Sequence, residues 1–509
     1  MNVIFFITDQ QRADHLGCAG NPVLKTPAID KLAGEGVRFS NAYVANPTCM
    51  PNRASIMTGQ FPNTCSRSFG VNLPEELPTF PGTLREQGYA TKAIGKMHLQ
   101  YWAGVVDKSV QSAEFMPGWM NPQTHDRMVK DFPTPFYGFD EVDLVVGHGD
   151  SCNGHYVDWV KERAPELAPL LLELAPKILT DLYRKSPIPE EYYSTSYLTD
   201  RSVDFLERYA KGDYGERPFL LKVSYPDPHH PCTPPGKYAD MYKPEDMELP
   251  PSFGDAQSVR DHPYIGPRSN DPNLGRMLFR ISNEEEVRNF ISHTYGMVTM
   301  IDDSVGRILS TLEKLGLDDD TLIVYTSDHG DMMGDHGMLL KGWIPYKGIL
   351  HVPLIFKAPG VTKAGSVSDS LISAVDLAPT ILNLCNIDEE AQPPDMQGLD
   401  YTEILKNPGQ RLRDCCLIEV DETDSGLLKA IPGSGKAAGR LKYLITDRYS
   451  LTVFDGHSGY GDLFDLQEDP HELNNLWDSN PELRHEMVEK LLFEVIRQQS
   501  IYPKKHAMT

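Results

Sequence analysis

The chain opens on an unbroken apolar run, residues 2–8, and similar runs recur along its length. Such runs are typical of strands that are buried on both faces of a parallel sheet. Further strands are predicted at residues 37–44, 90–95, 218–225, 322–326 and 352–357. Helices are predicted, from apolar residues at helical spacing, at residues 27–33, 193–209, 285–315 and 376–384. Thr26 should cap the first of these helices. We therefore expect an α/β fold, with a large mixed, mostly parallel sheet sandwiched by helices.

The pattern changes beyond a stretch rich in proline and glycine at residues 392–399. Three short strands are predicted beyond it, at residues 416–420, 441–445 and 449–454, and their close spacing indicates an antiparallel sheet. An amphipathic helix is predicted at residues 482–499. We expect an α/β domain over residues 1–395, with an insertion over the sheet at about 101–195, and a smaller α+β subdomain over residues 396–509.

The composition narrows the classes of partner. The 509 residues carry a formal net charge of −24, which argues against a nucleic-acid backbone or an anionic membrane as a general partner. Net charge does not exclude an anionic substrate, because the local field decides what a pocket binds. The eight cysteines show neither zinc-ligand spacing nor a dense disulfide framework, and they fit a reducing compartment. The sequence leaves the oligomeric state open, and a homo-oligomer is one of the states it allows.

No targeting signal is visible in the sequence. The first residues run directly into the first predicted strand, without the basic segment and apolar core that precede a cleavage site. The longest apolar stretch, residues 167–174, contains a proline and a glutamate and is too short to span a bilayer. We expect a cytoplasmic protein if the chain is complete, and a periplasmic or secreted one if a signal peptide was trimmed.

A cysteine stands at a predicted helix start in the stretch 48–59. Pro51 suits the first position of a helix, where its missing N–H has no partner to lose, and Gly59 suits a helix end. Cys49 would then lie at the helix N-terminus, where N–H groups favour negative charge, and Arg53 adds a positive fork. This combination suits an oxyanion such as sulfate or phosphate. The alternative is a buried cysteine that begins an ordinary helix.

Polar side chains follow the predicted strands where each strand ends. They are Asp9, Gln10, Lys96, His98, His229, His230, Asp328 and His329. In open α/β sheets, ligands bind outside the carboxyl ends of the strands, so we expect these side chains to converge. Two carboxylates, an amide oxygen and an imidazole can hold one divalent cation; the oxygens suit Ca²⁺ or Mg²⁺, and the imidazole favours Mn²⁺. Taken singly, each Asp could instead cap a helix, and each His could be a structural hydrogen bonder.

Five segments together resemble the signatures of one family. Residues 49–59 match Cys-x-Pro-x-Arg followed by Thr-Gly, and residues 95–99 read Gly-Lys-Met-His-Leu where the family usually has Gly-Lys-Trp-His-Leu. The other matching segments are residues 227–231, 327–337 and 462–476. On these residues the chain resembles the type I, formylglycine-dependent sulfatases, arylsulfatase-like members of the alkaline phosphatase superfamily. The resemblance covers nearly the whole chain, least at 101–195, and implies an alkaline phosphatase-like fold.

The resemblance also implies a chemistry. In this family a formylglycine-generating or equivalent maturation enzyme oxidises a cysteine to formylglycine, and Cys49 is the matching residue. One hydroxyl of the hydrated aldehyde attacks sulfur, and the second allows sulfate to be expelled, a step that a thiol could not complete. The implied metal ligands are Asp9, Gln10, Asp328, His329 and the modified Cys49, with Ca²⁺ as the expected ion and Mn²⁺ or Mg²⁺ as alternatives.

The resemblance implies six catalytic residues, each of which contacts a particular part of the hydrate or the substrate. They are Cys49, Arg53 on the hydrate, Lys96 on the sulfate oxygens, His98 as a contact or base of the hydrate, and His229 and Lys341 on the leaving oxygen. Lys96, His229 and Lys341 also form the implied substrate site. Lys347 is the second candidate for the lysine at the leaving oxygen.

Two departures from the family pattern bear on the substrate. Many sulfatases have two aspartates where this chain has Asp9 and Gln10, and that variant also occurs in phosphonate monoester hydrolases and choline sulfatases. Residues 346–353 lack the usual acidic residue after the tyrosine and the usual arginine before Val-Pro. The first departure weakens the expectation of a strict preference for sulfate, and the second affects the local wall of the expected pocket and the choice of substrate.

Three hypotheses for the function follow. The leading one is a sulfuric ester hydrolase that acts on a sugar, aryl or other small organic sulfate, including choline sulfate. The alternative is a phosphonate monoester hydrolase or phosphodiesterase on the same scaffold, which the Lys96-x-His98 pair disfavours. The third is a catalytically inactive binding protein, but neither Cys49 nor the metal carboxylates are lost. Expected to shape the pocket are residues 101–195 and 232–280, with His148, His155 and Arg268 as candidate contacts.

Overall fold

The computed structural model describes residues 1–101, 112–115, 132–174, 181–423 and 439–499. Its centre is a nine-stranded mixed sheet, and a separate four-stranded sheet lies in the C-terminal part. The strands, numbered in chain order, are β1 Asn2–Thr8, β2 Val37–Phe39, β3 Ala42–Tyr43, β4 Ala90–Gly95, β5 Glu141–Val146, β6 Asn153–Gly154, β7 Phe219–Ser224, β8 Arg280–Ile281, β9 Thr321–Ser327, β10 Met338–Leu339, β11 Leu354–Lys357, β12 Ser366–Ser368, β13 Ile372–Ser373, β14 Cys416–Asp421, β15 Arg440–Ile445, β16 Tyr449–Phe454 and β17 Gly461–Asp465.

The central sheet is parallel in its middle. Its order is β12-β2-β11-β9-β1-β7-β4-β5-β6, and the five neighbours from β9 to β5 run in the same direction. Strand β11 is antiparallel to both of its neighbours, and β6 is antiparallel to β5. In register, Val3 of β1 lies beside Leu220 on one side and Leu322 on the other. The predicted mixed, mostly parallel sheet is confirmed.

Helices cover both faces of this sheet. Side chains of β1 alternate between the faces, so that Phe5 belongs to one hydrophobic cluster and Phe6 to the other. The long helix Glu284–Lys314 packs into the second cluster, for example through Ile301. The helix Cys49–Thr58 packs into the first.

The α-helices of the described residues are Pro27–Glu35, Cys49–Thr58, Pro62–Cys65, Phe80–Glu86, His155–Arg163, Ala168–Leu174, Ser194–Ala210, Gly236–Ala239, Ala256–Asp261, Gly266–Ser269, Leu274–Met277, Glu284–Lys314, Lys347–Leu350, Leu377–Leu384, Thr402–Lys406 and Pro481–Gln499.

The structure changes several local expectations. Within residues 101–195, which were expected to lie over the sheet, β5 and β6 form one edge of the sheet itself, because β5 pairs with β4. The strand predicted at 37–44 is two short strands, β2 and β3. Thr26 forms no side-chain capping bond, since its hydroxyl accepts the N–H of Gly17 at 2.8 Å and donates to Asp30.

The C-terminal sheet is antiparallel, as predicted, with the order β14-β15-β16-β17. Strand β17 was not predicted, because its only apolar side chains are Leu463 and Phe464. The helix Pro481–Gln499 and strand β14 belong to the same hydrophobic cluster as Phe5 of the central sheet. The boundary at residue 395 stays a prediction. Across the described residues, no helix has both the length and the apolar character that crossing a membrane requires.

The C-terminal sheet also contacts the segment that leads into the helix Cys49–Thr58. The N–H of Glu419 in β14 donates to the carbonyl oxygen of Ala45 at 2.9 Å. The Nδ2 of Asn46 donates to the carbonyl oxygen of Glu419 at 2.7 Å. Through these two bonds, the C-terminal sheet fixes residues 45 and 46, which precede the N-terminus of the helix Cys49–Thr58.

The end of β4 requires glycine at position 95. Gly95 has a φ of 101°, and an added Cβ would lie 2.0 Å from the carbonyl oxygen of Ser224. We expect Gly95→Ala to lower the free energy of unfolding by about 1–2 kcal/mol for the left-handed backbone and by about 1–3 kcal/mol more for the close contact. Chemical denaturation would measure both terms together.

The matched control is Gly88→Ala. Gly88 has a similar φ of 89°, but nothing lies within 4 Å of an added Cβ there, so that only the backbone term applies. Equal losses at the two positions would show that the backbone of β7 does not confine Gly95.

Candidate active site

The helix Cys49–Thr58 begins at the cysteine that the sequence singles out. Cys49 is buried, with 2% of its surface exposed, and Pro51 is the third residue of the helix rather than the predicted first. Gly59 ends the helix in the left-handed conformation, as predicted, with a φ of 68°. Asn52 ties the helix to the end of β9, because its Nδ2 donates to the carbonyl oxygen of Asp328 at 2.5 Å. The cysteine is thus held beside the carboxyl edge of the sheet.

The parallel strands end at this edge, and the residues that follow them come together. Asp9 and Gln10 follow β1, Lys96 follows β4, and Asp328 and His329 follow β9. All five are buried, each with at most 1% of its surface exposed. The structure therefore brings five of the predicted site residues into one buried cluster next to the helix N-terminus.

Arg53 lies at the centre of this cluster. Its Nε donates to Oδ2 of Asp328 at 2.6 Å, and its Nη2 donates to Oδ2 of Asp9 at 3.3 Å. Its Nη1 donates to Oγ of Ser224 at 2.9 Å and to the carbonyl oxygen of Lys96 at 3.2 Å. Burial opposes the charge, but Asp328 and Asp9 outweigh it and raise the pKa of the Arg53 guanidinium. Arg53 therefore stays charged and holds both carboxylates in place.

Several side chains here can offer ligand atoms to one cation. Four of them are Asp9, Cys49, Asp328 and His329, whose candidate ligand atoms lie within 4.8 Å of one another. Oδ1 of Asp9 and Oε1 of Gln10 are buried, and neither has a hydrogen-bond partner among the described residues. His329 donates Nδ1–H to the carbonyl oxygen of Gly330 at 2.9 Å, so that Nε2 is an acceptor. It accepts from Nζ of Lys341 at 2.6 Å and would bind a metal in place of that contact. This donor set fits a divalent cation.

Positive charge surrounds the sulfur of Cys49. Nζ of Lys341 donates to Sγ of Cys49 at 3.3 Å and lies 2.6 Å from Nε2 of His329. Lys96 forms a buried ion pair with Asp9. Burial alone would raise the pKa of the Cys49 thiol, but Lys341 and Lys96 outweigh it and hold that pKa well below its usual range. The site therefore stabilises negative charge at position 49.

Lys347, the second candidate lysine, lies elsewhere. Its backbone N–H donates to Oε2 of Glu472 at 2.8 Å. The residue lines a separate cavity of about 510 Å³, together with Arg12 and His351. Of the two candidates, the structure places Lys341 beside Cys49.

His229 lies against a second histidine. Its ring stacks on that of His148, with the centroids 3.5 Å apart, and Nε2 of His148 lies 2.7 Å from Nζ of Lys96. His229 donates Nδ1–H to the carbonyl oxygen of His230 at 2.5 Å. Burial and the neighbouring His148 lower the pKa of His229 well below its usual value. The neutral ring therefore carries its proton on Nδ1, and its Nε2 is an acceptor.

His98 adopts a left-handed backbone with a φ of 51°. Its N–H donates to Oε2 of Glu114 at 2.6 Å, and the N–H groups of Leu99 and Gln100 donate to Oε1 at 2.7 and 2.9 Å. Burial lowers the pKa of His98 to about 4 in spite of the nearby Cys49, so that the ring is neutral at pH 7. The sequence analysis missed Glu114, a single carboxylate in a segment without a recognisable pattern.

Among the three candidate contacts, His148 joins the site and the other two lie outside it. His155 accepts the N–H of Leu144 at 2.8 Å, beneath β5. Arg268 stacks on Tyr264, with its guanidinium carbon 3.6 Å from the ring centroid. His148 follows β5, a strand that the sequence analysis did not predict, so no sequence pattern placed it at the site.

Lys222 is a further residue that the sequence analysis missed. It lies within β7, where its Nζ donates to the carbonyl oxygen of Lys96 at 3.0 Å. Burial lowers the pKa of Lys222 well below its usual value. A lysine in the middle of an otherwise apolar, buried run was the signal that could have identified it.

Comparison with known proteins identifies the family of this chain. Residues 1–387 match the family model described as Sulfatase, and residues 334–500 match the one described as N-sulphoglucosamine sulphohydrolase, C-terminal. The chain is 30% identical over 484 residues to an arylsulfatase of Clostridium perfringens (strain 13 / Type A), covering 94% of this chain and 90% of that protein.

Two further similarities concern the wider superfamily. The chain is 31% identical over 402 residues to the multifunctional alkaline phosphatase superfamily protein PehA of Trinickia caryophylli, covering 75% of this chain and 73% of that protein. The crystal structure of the phosphonate monoester hydrolase of Agrobacterium radiobacter has the same fold, with a TM-score of 0.75 at 24% identity, covering 98% and 96% of the two chains. The chain belongs to the sulfatase family of the alkaline phosphatase superfamily, and it is a sulfuric ester hydrolase.

Proposed function

We propose that the protein hydrolyses a sugar, aryl or other small organic sulfate ester to an alcohol and inorganic sulfate, with Cys49 converted to formylglycine and one divalent cation bound. The observation that carries the proposal is the position of Cys49. It lies at a helix N-terminus, 3.3 Å from the Lys341 ammonium and within reach of the cation ligands. An anionic transition state needs fixed positive charge of this kind around it.

A maturation enzyme would act on Cys49 before the protein is active. Formylglycine supplies, as its hydrate, one hydroxyl that attacks sulfur and a second that allows sulfate to leave. Arg53 lies one helical turn beyond Cys49 and is fixed by Asp9 and Asp328, so that it can hold the hydrate in one orientation.

The residues that would hold the cation are Asp9, Gln10, Asp328 and His329, together with the modified Cys49. Oxygen ligands dominate this set, and we propose Ca²⁺, with Mn²⁺ and Mg²⁺ as alternatives because an imidazole takes part. A bound divalent cation supplies Lewis acidity and lowers the pKa of an oxygen nucleophile.

The proton for the leaving oxygen comes from Lys341 in this proposal. Burial opposes its charge, but Cys49, Asp9 and Asp328 outweigh it in the unmodified chain and raise the pKa of Lys341. After conversion of Cys49, the carboxylates of Asp9 and Asp328 remain to favour the ammonium. Neutral His229 keeps its proton on Nδ1, in the bond to His230, and can donate from Nε2 only after it is protonated. Lys96, between Asp9 and His148, is placed to neutralise sulfate oxygens.

The alternative function is phosphonate monoester or phosphodiester hydrolysis. The Asp9–Gln10 pair supports it, as do the similarities to a phosphonate monoester hydrolase and to a multifunctional superfamily member. A sulfate ester presents three free oxygens to the site, whereas a phosphonate ester presents two and a carbon substituent. Lys96 and His98 favour the substrate with the additional oxygen, because a carbon substituent accepts no hydrogen bond.

We therefore expect kcat/KM for 4-nitrophenyl sulfate to exceed that for 4-nitrophenyl phenylphosphonate by at least about tenfold, which corresponds to ~1.4 kcal/mol. Both substrates release 4-nitrophenolate, so one absorbance assay measures both reactions and the leaving group is matched. Turnover of the phosphonate far above that of the sulfate would make the alternative function the right one.

The assignment of the leaving-group proton predicts a dependence on the leaving group. We expect Lys341→Ala to lower kcat/KM for an alkyl or sugar sulfate by about 100-fold or more, because an alkoxide needs a proton to depart. The loss should be smaller for 4-nitrophenyl sulfate, whose phenolate leaves unprotonated. Lys347→Ala is the matched control and should leave both values nearly unchanged. Equal losses of Lys341→Ala on the two substrates would contradict the assignment.

The cation proposal predicts the effect of metal removal. Chelation followed by desalting should abolish sulfate release, and Ca²⁺ should restore it. The midpoint of thermal unfolding should also fall, because a ligand that binds only the folded state stabilises it. Metal content by elemental analysis is the control. Full activity in a sample shown to contain no divalent metal would disprove the proposal.

A further inference from the structure

Asp331, a buried carboxylate outside the implied ligand set, contacts the side-chain amide of Gln10. Asp331 has none of its surface exposed, and it lies in the same loop as Asp328 and His329. Its Oδ1 accepts two backbone N–H groups, from Met333 at 2.8 Å and from Leu340 at 3.1 Å. These two bonds fix the carboxylate, and they leave Oδ2 to accept from Nε2 of Gln10.

The amide of Gln10 has two acceptors on its nitrogen side. Besides Oδ2 of Asp331, Nδ1 of His230 lies 3.1 Å from Nε2. An amide nitrogen carries two hydrogens, and a carboxylate can only accept, so that the nitrogen must face Asp331. Oε1 of Gln10 is then directed away from Asp331, and it has no hydrogen-bond partner among the described residues.

We infer that Asp331 is a positioning residue, which turns the amide oxygen of Gln10 toward the cation and keeps the nitrogen away from it. The inference rests on the proposed cation site. An aspartate at position 10 would need no such partner, because its two oxygens are equivalent. An amide has one oxygen and one nitrogen of nearly the same shape, and the reversed amide would direct N–H groups at the cation.

The first test is Asp331→Asn, in the full chain. The N–H groups of Met333 and Leu340 would keep the oxygen of the new amide where Oδ1 now lies, which directs its NH₂ group at Gln10. Gln10 would then reverse to offer its oxygen to that NH₂ group and would lose its contact with the cation. We expect the affinity for Ca²⁺ and for Mn²⁺, each titrated by calorimetry, to fall by about 10- to 100-fold.

The second test repeats the substitution in a Gln10→Glu background. There the carboxylate of the native Asp331 would face the carboxylate introduced at position 10, where it now accepts from Nε2 of Gln10, and the two like charges would repel. Asp331→Asn should now supply an NH₂ donor to the introduced carboxylate and should raise the cation affinity by about tenfold. The same substitution thus weakens binding in one background and strengthens it in the other, which simple damage to the loop would not do.

The matched control is Asp335→Asn. Asp335 lies in the same loop and is bound by Arg12 at 2.6 Å and by Ser252 at 3.1 Å, away from Gln10. Its replacement should change the cation affinity by no more than about twofold, since it touches no ligand. Circular dichroism and peptide mass spectrometry would check folding and the state of position 49 in every variant.

The outcomes separate the two claims. If the wild type binds neither cation, the proposed cation site is wrong. Suppose that the wild type binds a cation, and that Asp331→Asn either lowers the affinity equally in both backgrounds or changes it in neither. The proposed role of Asp331 is then wrong, while the cation site stands. If Asp331→Asn lowers the cation affinity in the native background and raises it in the Gln10→Glu background, while Asp335→Asn leaves that affinity unchanged, the inference is established.

Discussion

The ion pairs of Arg53 with Asp9 and Asp328 are the interaction on which the rest of this structure depends. Charges inside a protein are strongly destabilising unless opposite charges and hydrogen bonds compensate each of them. Here Nε and Nη2 of one guanidinium meet a carboxylate from the end of β1 and another from the end of β9. The two strands and the helix Cys49–Thr58 must therefore be placed together, because a shift of any one would remove part of the compensation of these buried charges.

The balance of charge in the cluster explains what it can bind. Three cations, Arg53, Lys96 and Lys341, face the two carboxylates of Asp9 and Asp328. A thiolate at Cys49 balances the remaining positive charge, and an uncharged group at that position would leave one positive charge in excess. A divalent cation would increase that excess, and an oxyanion would reduce it. The site can thus attract an anionic ester although the whole chain carries a net charge of −24. Local placement of a few charges, rather than net charge, determines the chemistry.

Around this cluster a second set of residues fixes the orientation of its members. Glu114 holds the backbone at His98, Lys222 donates to the carbonyl oxygen of Lys96, and Asp331 accepts from Gln10. Each of these residues is buried. Their bonds go mostly to backbone groups and to one amide, which means that they determine orientation rather than supply reactive atoms.

The sequence by itself determined the mixed sheet, the helix at Cys49 and the convergence of Asp9, Gln10, Asp328 and His329 at the strand ends. These features are local: apolar runs and helical spacing depend on neighbouring residues, and parallel strands carry the residues that follow them to one edge. Tertiary structure alone placed Lys341 rather than Lys347 beside Cys49, brought His148 beside Lys96, and revealed Glu114 and Lys222. Those outcomes depend on contacts between segments that are distant in sequence, and on which face of a strand or loop is buried. A local sequence pattern predicts neither the distant contacts nor the buried face.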